Sequence, residues 1–222
     1  MAPGPGGPLA RRSLHVIWLI DTSGSMAQDG KIQALNNAVR EALPHLREAA
    51  RENPHANVLV RVVAFADEAR WQTVEPTPVE RFTWNDFLEP GGVTNLGAAL
   101  ALVAADFATL QERGLPPVLV LITDGQATDD VDSGLRALGS TPWGARAVRI
   151  GIGLGRDADH DLLRRFMGDP DQTPLSASNP EQLTAAIRWA STVAVGQAST
   201  PRLSPTPVIV SSRPEPAITD IW

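Results

Sequence analysis

Three oxygen-bearing side chains stand two positions apart in the segment Asp21-Thr22-Ser23-Gly24-Ser25, directly after an apolar run. In an extended turn, residues spaced by two face the same side, and Gly24 permits the close bend that brings Asp21, Ser23 and Ser25 together. Carboxylate and hydroxyl oxygens are the hard ligands that Mg²⁺, Mn²⁺ and Ca²⁺ prefer. The segment therefore predicts part of a divalent-cation site.

Two further segments carry oxygen ligands at equivalent places in the chain. Asp124 follows the apolar run 118–122, and Thr94 lies in the glycine-containing loop 91–97, just ahead of a helical pattern. In open α/β sheets, ligands bind at the carboxyl ends of parallel strands, where the strand order reverses. We therefore expect Asp124 and Thr94 to lie beside Asp21.

The mixture of ligands indicates what such a cation would do. Three hydroxyls and two carboxylates leave a divalent ion roughly neutralised, and Mg²⁺ takes about six oxygens. Protein and water fill most of that shell, so one position can accept a carboxylate from outside. This chemistry predicts recognition of an Asp or Glu of a partner protein, without bond breaking. Magnesium is the predicted ion, with manganese or calcium as alternatives.

The elements that must hold these residues alternate between strands and helices, which predicts a mostly parallel α/β sheet with helices on both faces. We expect six strands, and the third follows the second too closely for a crossover helix, so it should be an antiparallel edge strand. Pro44 should kink or locally disturb the first helix. The predicted strands are 14–20, 58–65, 69–74, 118–122, 147–154 and 173–176, and the predicted helices are 31–51, 96–110, 129–138, 158–167 and 180–195.

Composition and charge exclude several classes of protein. The net charge of −6 argues against nucleic-acid binding, which needs a basic stripe. No cysteine is present, so disulfides and thiolate metal sites are excluded. The apolar run 14–20 is too short for a membrane span and lacks a cleavage site, so a cytoplasmic protein without membrane contact is predicted.

The ends of the chain differ from the middle. Residues 1–12 are rich in Gly and Pro and should form a disordered tail, whereas residues 13–196 should form the domain. Residues 197–222 contain five prolines and predict a second tail. Its alternative role is a docking segment that adds a strand to a partner's sheet.

Asp-x-Ser-x-Ser, Gly-Gly-Val-Thr and Thr-Asp-Gly, in this order, resemble the metal-ion-dependent adhesion site of von Willebrand factor A domains. The resemblance covers about 13–196. It implies a Rossmann-like fold and a metal-dependent protein–protein interaction module that is not an enzyme. The five ligand positions that the resemblance matches are Asp21, Ser23, Ser25, Thr94 and Asp124.

A narrower resemblance concerns the bacterial tellurium-resistance-type branch. It rests on the Thr-Asp-Gly-x-x-Thr-Asp-Asp stretch at 123–130 and on Arg188-Trp189 in the last helix. The resemblance implies a cytoplasmic role in stress response or phosphorylation signalling. The implied partner is a kinase or a PP2C-type phosphatase encoded nearby.

Several residues near the predicted site have two interpretations. Asp129 and Asp130 should cap and start a helix, or else lie on the rim of the partner-binding face. Trp84 and Phe87 should pack in the core, or else line that face. Asn95 adjoins Thr94 and is a further candidate for the rim.

Two patterns imitate other sites. The segment 153–158 matches the G-x-G-x-x-A nucleotide fingerprint, but it follows a late strand, so a tight strand-to-helix turn is favoured. Asp157, Asp159 and Asp161 imitate the start of an EF-hand, but its glycine position holds Leu162, and acids in a first helical turn explain them better.

Two other functions remain as alternatives. A Mg²⁺-dependent phosphatase would use Asp21 as nucleophile, but Ser23 stands where a second Asp is needed. Lys31, the sole lysine, lies in a predicted helix, so no lysine is expected to grip a phosphate. The remaining alternative is a scaffold with a purely structural metal.

Overall fold

A computed structural model describes residues 11–85, 88–110, 114–169 and 171–199. Within them, strands and helices alternate along the chain and form one sheet covered on both faces. The strands are β1 (Arg12–Asp21), β2 (Ala56–Phe65), β3 (Ala69–Trp71), β4 (Thr77–Pro78), β5 (Val118–Thr123), β6 (Val148–Leu154) and β7 (Leu175–Ala177). The helices are α1 (Lys31–Glu52), α2 (Leu96–Phe107), α3 (Val131–Gly139), α4 (Pro142–Arg146), α5 (His160–Met167) and α6 (Pro180–Ser199), and a 3-10 segment spans Gly24–Gly30.

The sheet reverses its strand order at its centre. The order is β3-β2-β1-β5-β6-β7, so the chain builds outward from β1 in one direction and then in the other. β1 pairs in parallel with both β2 and β5, and β5, β6 and β7 continue in parallel. The carboxyl ends of β1 and β5 therefore flank the point where such folds bind ligands.

The predicted α/β fold with a mostly parallel sheet and an antiparallel edge strand is confirmed, because β3 pairs antiparallel with β2. The structure adds a seventh strand, β4, that also pairs antiparallel with β2. Two residues are too few to show a periodic pattern in the sequence. One of them is Pro78, which has no N–H to donate and is confined to sheet edges.

The two faces of the sheet bury separate sets of apolar residues. Alternate β1 residues, such as Val16 and Trp18, pack against α1 and α6. Ile17 and Leu19 pack on the opposite face against α2, α3, α4 and α5. The buried run of β1 therefore follows from coverage on both faces, as expected for a central parallel strand.

Helix α1 continues across Pro44, so the predicted kink neither ends nor splits the helix. Proline removes one main-chain hydrogen bond, whereas apolar side chains before and after Pro44 stay buried. Leu43, directly before the proline, and Leu46, two residues after it, are 4% and 0% exposed. Burial of the apolar side of α1 therefore keeps the helix continuous across Pro44.

Some boundaries differ from the predictions. Helix α2 ends at Phe107, and α3 begins at Val131 with Asp130 as its N-cap. The short α4 was not predicted, although Thr141 before Pro142 is a capping residue followed by a proline at the first helical position. Short helices lack the repeated apolar spacing on which prediction depends.

The ends of the domain follow from β1 and α6. Strand β1 begins at Arg12, and α6 ends at Ser199. Most of the tails predicted at 1–12 and 197–222 therefore lies outside the described residues, as does the possible docking segment. In the part of the chain that the structure describes, no helix is long and apolar enough to cross a membrane.

Candidate functional site

The carboxyl ends of β1 and β5 bring Asp21 and Asp124 to the same edge of the sheet. Ile20 pairs with Ile122 across the two strands. One residue further on, the Thr123 hydroxyl donates a hydrogen bond of 2.5 Å to Oδ2 of Asp21. Strand register alone therefore places the two acids side by side, as the sequence predicts.

The turn after β1 forms a continuous chain of polar contacts. The Ser23 N–H donates to Oδ1 of Asp21 at 2.8 Å, and the Ser23 and Ser25 hydroxyl oxygens lie 3.1 Å apart. The Ser25 hydroxyl donates to Oδ1 of Asp124 at 2.7 Å. Four of the five predicted ligand residues are thus linked by hydrogen-bond contacts.

The loop that carries Thr94 is joined to this turn by main-chain hydrogen bonds. The Gly24 N–H donates to the Gly92 carbonyl at 3.0 Å, and the Gly91 N–H donates to the Thr22 carbonyl at 2.8 Å. Gly92 has a φ of +77°, a conformation that glycine adopts without strain. The two loops therefore pack main chain against main chain.

Thr94 faces the same space as Ser25. A methyl group built on Gly125 would lie 3.8 Å from Oγ of Ser25 and 4.0 Å from Oγ1 of Thr94. Both hydroxyls therefore border Gly125, the residue after Asp124, and Thr94 is only 6% exposed. The structure thus brings together all the residues predicted from the sequence as ligands, namely Asp21, Ser23, Ser25, Thr94 and Asp124.

Three polar residues around Thr94 fix its loop: Asn95, Thr128, which belongs to the stretch 123–130, and Asp67, which no pattern in the sequence indicates. The Thr94 N–H donates to the Thr128 hydroxyl at 3.1 Å, and that hydroxyl donates to Oδ1 of Asn95 at 2.9 Å. Nδ2 of Asn95 donates to the Asp67 carbonyl, and the Asp67 carboxylate accepts the Val93 N–H at 2.9 Å. Asn95 therefore connects the loop that carries Thr94 to Asp67 and to Thr128.

The electrostatics of the site are dominated by two buried acids. Asp21 is 0% exposed and Asp124 is 5% exposed. Burial raises the pKa of Asp21, hydrogen bonds from Thr123 and Ser23 oppose this increase, and the Asp124 charge adds to it. The surroundings of Asp21 therefore leave its negative charge incompletely compensated, and a cation would compensate it.

Lys31, which the sequence predicts in a helix and not as a residue that grips a phosphate, supplies one positive charge to the site. Its ammonium lies 2.7 Å from Oδ2 of Asp124, and only 13% of the Lys31 side chain is exposed. Lys31 is the first residue of α1, and the left-handed residues Asp29 and Gly30 precede it. That turn aims the side chain at Asp124, which the helical pattern could not show.

The donor set fits a hard divalent cation. In the described ranges, no three His, Cys, Asp or Glu side chains come together in a group that could hold a metal ion. The side-chain oxygens that lie together here are those of two carboxylates and the neighbouring hydroxyls. Oxygen donors of this kind suit Mg²⁺, Mn²⁺ and Ca²⁺.

The residues considered for a rim lie in different places. Oδ1 of Asp130 accepts the Ser133 N–H and caps α3, whereas both Asp129 oxygens accept N–H groups of α2, from Gly97 and Ala98. Capping accounts for both acids, but Asp129 caps a neighbouring helix and not its own.

Trp84 lies on the α1 face of the sheet. Its Nε1 donates to Oδ1 of Asn36 at 3.0 Å, and its ring packs edge-on to Trp18 at 6.4 Å. This placement agrees with the core-packing interpretation of Trp84. Phe87, the other aromatic considered for the binding face, lies outside the described residues.

Replacing Asp129 by alanine should lower the free energy of unfolding by about 1–2 kcal/mol, because the first N–H groups of α2 lose their acceptor. Urea denaturation measures this change. Asp132→Ala removes the same charge from an exposed ion pair with Arg165, which makes it a matched control with an expected effect below about 1 kcal/mol. Equal destabilisation by the two variants would contradict the capping role.

The nucleotide-like segment forms a tight turn between β6 and α5. A methyl group on Gly153 would lie 2.9 Å from the Ala158 side chain, so the turn packs closely. Asp159 caps α5 by accepting the N–H groups of Asp161 and Leu162. These first N–H groups of the helix are therefore already bonded within the protein, and Asp159 and Asp161 occupy the helix start, as predicted.

An open α/β sheet with oxygen ligands at its point of strand reversal defines a class of ligand-binding domains. The von Willebrand factor type A domain model matches residues 15–188, and the chain belongs to this family. Domains of the family are metal-dependent interaction modules that bind divalent cations and are usually not enzymes.

Solved structures show the same fold in diverse proteins. A von Willebrand factor type A protein from Catenulispora acidiphila has a TM-score of 0.63 at 20% identity, over 83% of this chain and 43% of its own. Proximal thread matrix protein 1 from the mussel byssus, with a zinc-occupied metal-ion-dependent adhesion site, has a TM-score of 0.59 at 18% identity, over 84% of this chain and 46% of its own. These identities establish the fold alone.

One curated relative is Cuticlin-6 from Caenorhabditis elegans, which is 24% identical over 192 residues. The match covers 81% of this chain and 30% of that protein. The chain thus spans about a third of this relative and under half of the structures named above. The similarity concerns the domain and not the whole of those proteins.

Proposed function

We propose that this domain is a metal-dependent protein-binding module whose cation, Mg²⁺, is held by Asp21, Ser23, Ser25, Thr94 and Asp124. The observation that carries the proposal is the convergence of three hydroxyls and two buried carboxylates at the strand reversal. A cation bound there would supply positive charge and an open coordination position for an Asp or Glu of the partner.

The contacts of Asp21, Ser23 and Ser25 suit a site that binds a partner better than a site that breaks a bond. A phosphatase of this kind needs a second Asp at the position that Ser23 occupies, and the Ser23 N–H instead holds the Asp21 carboxylate by a hydrogen bond. The Ser23 and Ser25 hydroxyls contact each other, and Ser25 donates to Asp124, so both hydroxyls lie beside the two carboxylates. These contacts favour a binding site over the phosphatase alternative.

Addition of Mg²⁺ should raise the melting temperature of the wild-type domain. A ligand present at a hundred times its Kd stabilises the native state by about 2.7 kcal/mol, which corresponds to roughly 5–10 °C for a domain of this size. The measurement compares thermal unfolding in a chelator with unfolding in saturating Mg²⁺.

The matched variants for this experiment are Asp124→Ala and Asp132→Ala, which remove the same charge inside and outside the site. Only Asp124→Ala should abolish the metal-dependent shift. A wild-type melting temperature that is the same in chelator and in metal would contradict the proposal. For a candidate partner, binding that survives both Asp124→Ala and chelation would exclude a metal bridge.

We further propose a cytoplasmic role in stress response or phosphorylation signalling of the tellurium-resistance type. The support is the sequence 123–130 together with Arg188-Trp189. In the structure, 123–130 joins β5 to α3 and includes Asp124, so it is part of the candidate site. Metal-dependent capture of a purified kinase or PP2C-type phosphatase encoded beside this gene would support the proposal, and its absence for both would contradict it.

A further inference from the structure

The position of Lys31 is unusual for a cation. It is the first residue of the long helix α1, where the helix dipole disfavours positive charge, and no acid lies in the first turn of the helix. Its ammonium nevertheless lies 2.7 Å from Asp124, whose side chain is 1% exposed. The contact with a buried carboxylate compensates for the unfavourable position, so the charge of Lys31 belongs to the site.

We propose that Lys31 sets the charge of the site: its ammonium opposes cation binding at Asp124 and makes the loaded site suited to one carboxylate of a partner. This inference rests on the proposed function. The reason is a count of charges among Asp124, Lys31, which contacts it, and Asp21, which is connected to Asp124 through Ser23 and Ser25. Asp21, Asp124 and Lys31 together carry one negative charge, so a divalent cation leaves one positive charge in excess. Without Lys31, the two acids and the cation would be neutral.

The same count predicts opposite effects on two ligands. Loss of the Lys31 charge should tighten Mg²⁺ binding, because an ammonium close to a divalent ion repels it strongly at the low effective dielectric of a partly buried site. Loss of the Lys31 charge should weaken binding of a carboxylate to the metal-loaded site, because the excess positive charge is lost. A residue that only supports the fold would not move the two affinities in opposite directions.

The test uses Lys31→Gln, which keeps a hydrogen-bond donor near Asp124 but removes the charge. The matched control is Arg40→Gln, which removes a positive charge from the exposed side of the same helix. Lys31→Arg keeps the charge and should behave more like the wild type. Lys31→Met is a second neutral variant, used if the glutamine variant does not unfold cooperatively.

Two affinities are measured on the full chain. The Kd for Mn²⁺, and for Mg²⁺ by competition, is obtained from the electron paramagnetic resonance signal of free Mn²⁺. Acetate binding to the Mn²⁺-loaded protein is obtained from the decrease in water-proton relaxation as acetate replaces bound water. For Lys31→Gln we expect a metal Kd roughly tenfold lower and an acetate Kd several-fold higher than in the wild type.

The outcomes separate this inference from the proposed function. Unchanged or weaker metal binding by Lys31→Gln, with normal binding by the wild type and Arg40→Gln, overturns the inference alone. Tighter metal binding with unchanged acetate binding also overturns it, because the charge would then have no role in carboxylate recognition. Absence of metal binding by the wild type overturns the proposed function itself.

Discussion

Replacing Asp21 by asparagine should abolish stabilisation by Mg²⁺ and at the same time make the metal-free domain more stable. Asp21 is fully buried, and burial raises its pKa, which means that its charge is unfavourable in the folded protein. Asparagine has nearly the same shape, and its oxygen can accept the Ser23 N–H while its amide donates to the Thr123 hydroxyl. The variant therefore loses the charge and keeps the Ser23 bond, whereas the Thr123 bond reverses its direction and the Thr123 hydroxyl no longer donates to residue 21.

The effect of Asp21→Asn on the melting temperature should differ between chelator and Mg²⁺. In chelator, the melting temperature of Asp21→Asn should rise by a few degrees, or about 1–2 kcal/mol, as is common when a functional charge is removed. In Mg²⁺, the wild type should gain its metal-dependent shift and the variant should gain none. Thermal unfolding of both proteins in both buffers measures all four values.

A matched control for the asparagine variant is Asp132→Asn, an exposed acid outside the site. It should leave both melting temperatures within about a degree of the wild-type values, because exposed ion pairs contribute little. Destabilisation of Asp21→Asn in chelator would show that the Asp21 carboxylate supports the fold. Retention of the full Mg²⁺ shift would show that Asp21 is not a ligand.

Replacing Gly97 by alanine should lower the free energy of unfolding by about 2–3 kcal/mol, because α2 and α3 cross in main-chain contact at this residue. A methyl group on Gly97 would lie 2.5 Å from the Asp130 carbonyl oxygen and 2.9 Å from Oδ2 of Asp129. On the partner helix, a methyl group on Gly134 would lie 2.6 Å from the Gly97 carbonyl. Main chain cannot move aside as a flexible side chain can.

The Gly97 substitution should also weaken Mg²⁺ binding by about tenfold, since α2 follows directly on the Thr94 loop and a sub-ångström misplacement of a ligand is costly. Gly139→Ala is the control, because no atom lies within 4 Å of a methyl group built on that glycine. Urea denaturation and Mg²⁺ titration of both variants give the two numbers. A Gly97 variant as stable as the Gly139 variant would mean that the helices can separate at little cost.

The central part of the site could be predicted because it depends on short-range patterns. The spacing of Asp21, Ser23 and Ser25 lies within one turn, and the apolar runs before Asp21 and Asp124 identify two buried strands. Parallel strands in one sheet bring their carboxyl ends together, so convergence follows from the fold class.

Contacts between distant elements could not be predicted in the same way. Lys31 contacts Asp124 because the backbone at Asp29 and Gly30 has φ values of +52° and +73°, and a helical pattern contains no sign of that turn. Asp129 accepts hydrogen bonds from α2, which depends on the crossing of two helices. A capping pattern in the sequence shows that an acid starts a helix, but not which helix it caps.

The main-chain hydrogen bonds between the Ser25 turn and the Thr94 loop bear on how this domain can diversify. Because Gly24, Gly91, Gly92 and Thr22 are joined through backbone atoms, these contacts between the two loops do not require a particular side chain at an exposed apolar position beside them. Val93 is such a position, since it is 46% exposed and lies beside Thr94. Under the proposed function, substitutions there would change which partner is preferred while these main-chain contacts stay in place, so affinity for the cation and choice of partner could evolve separately.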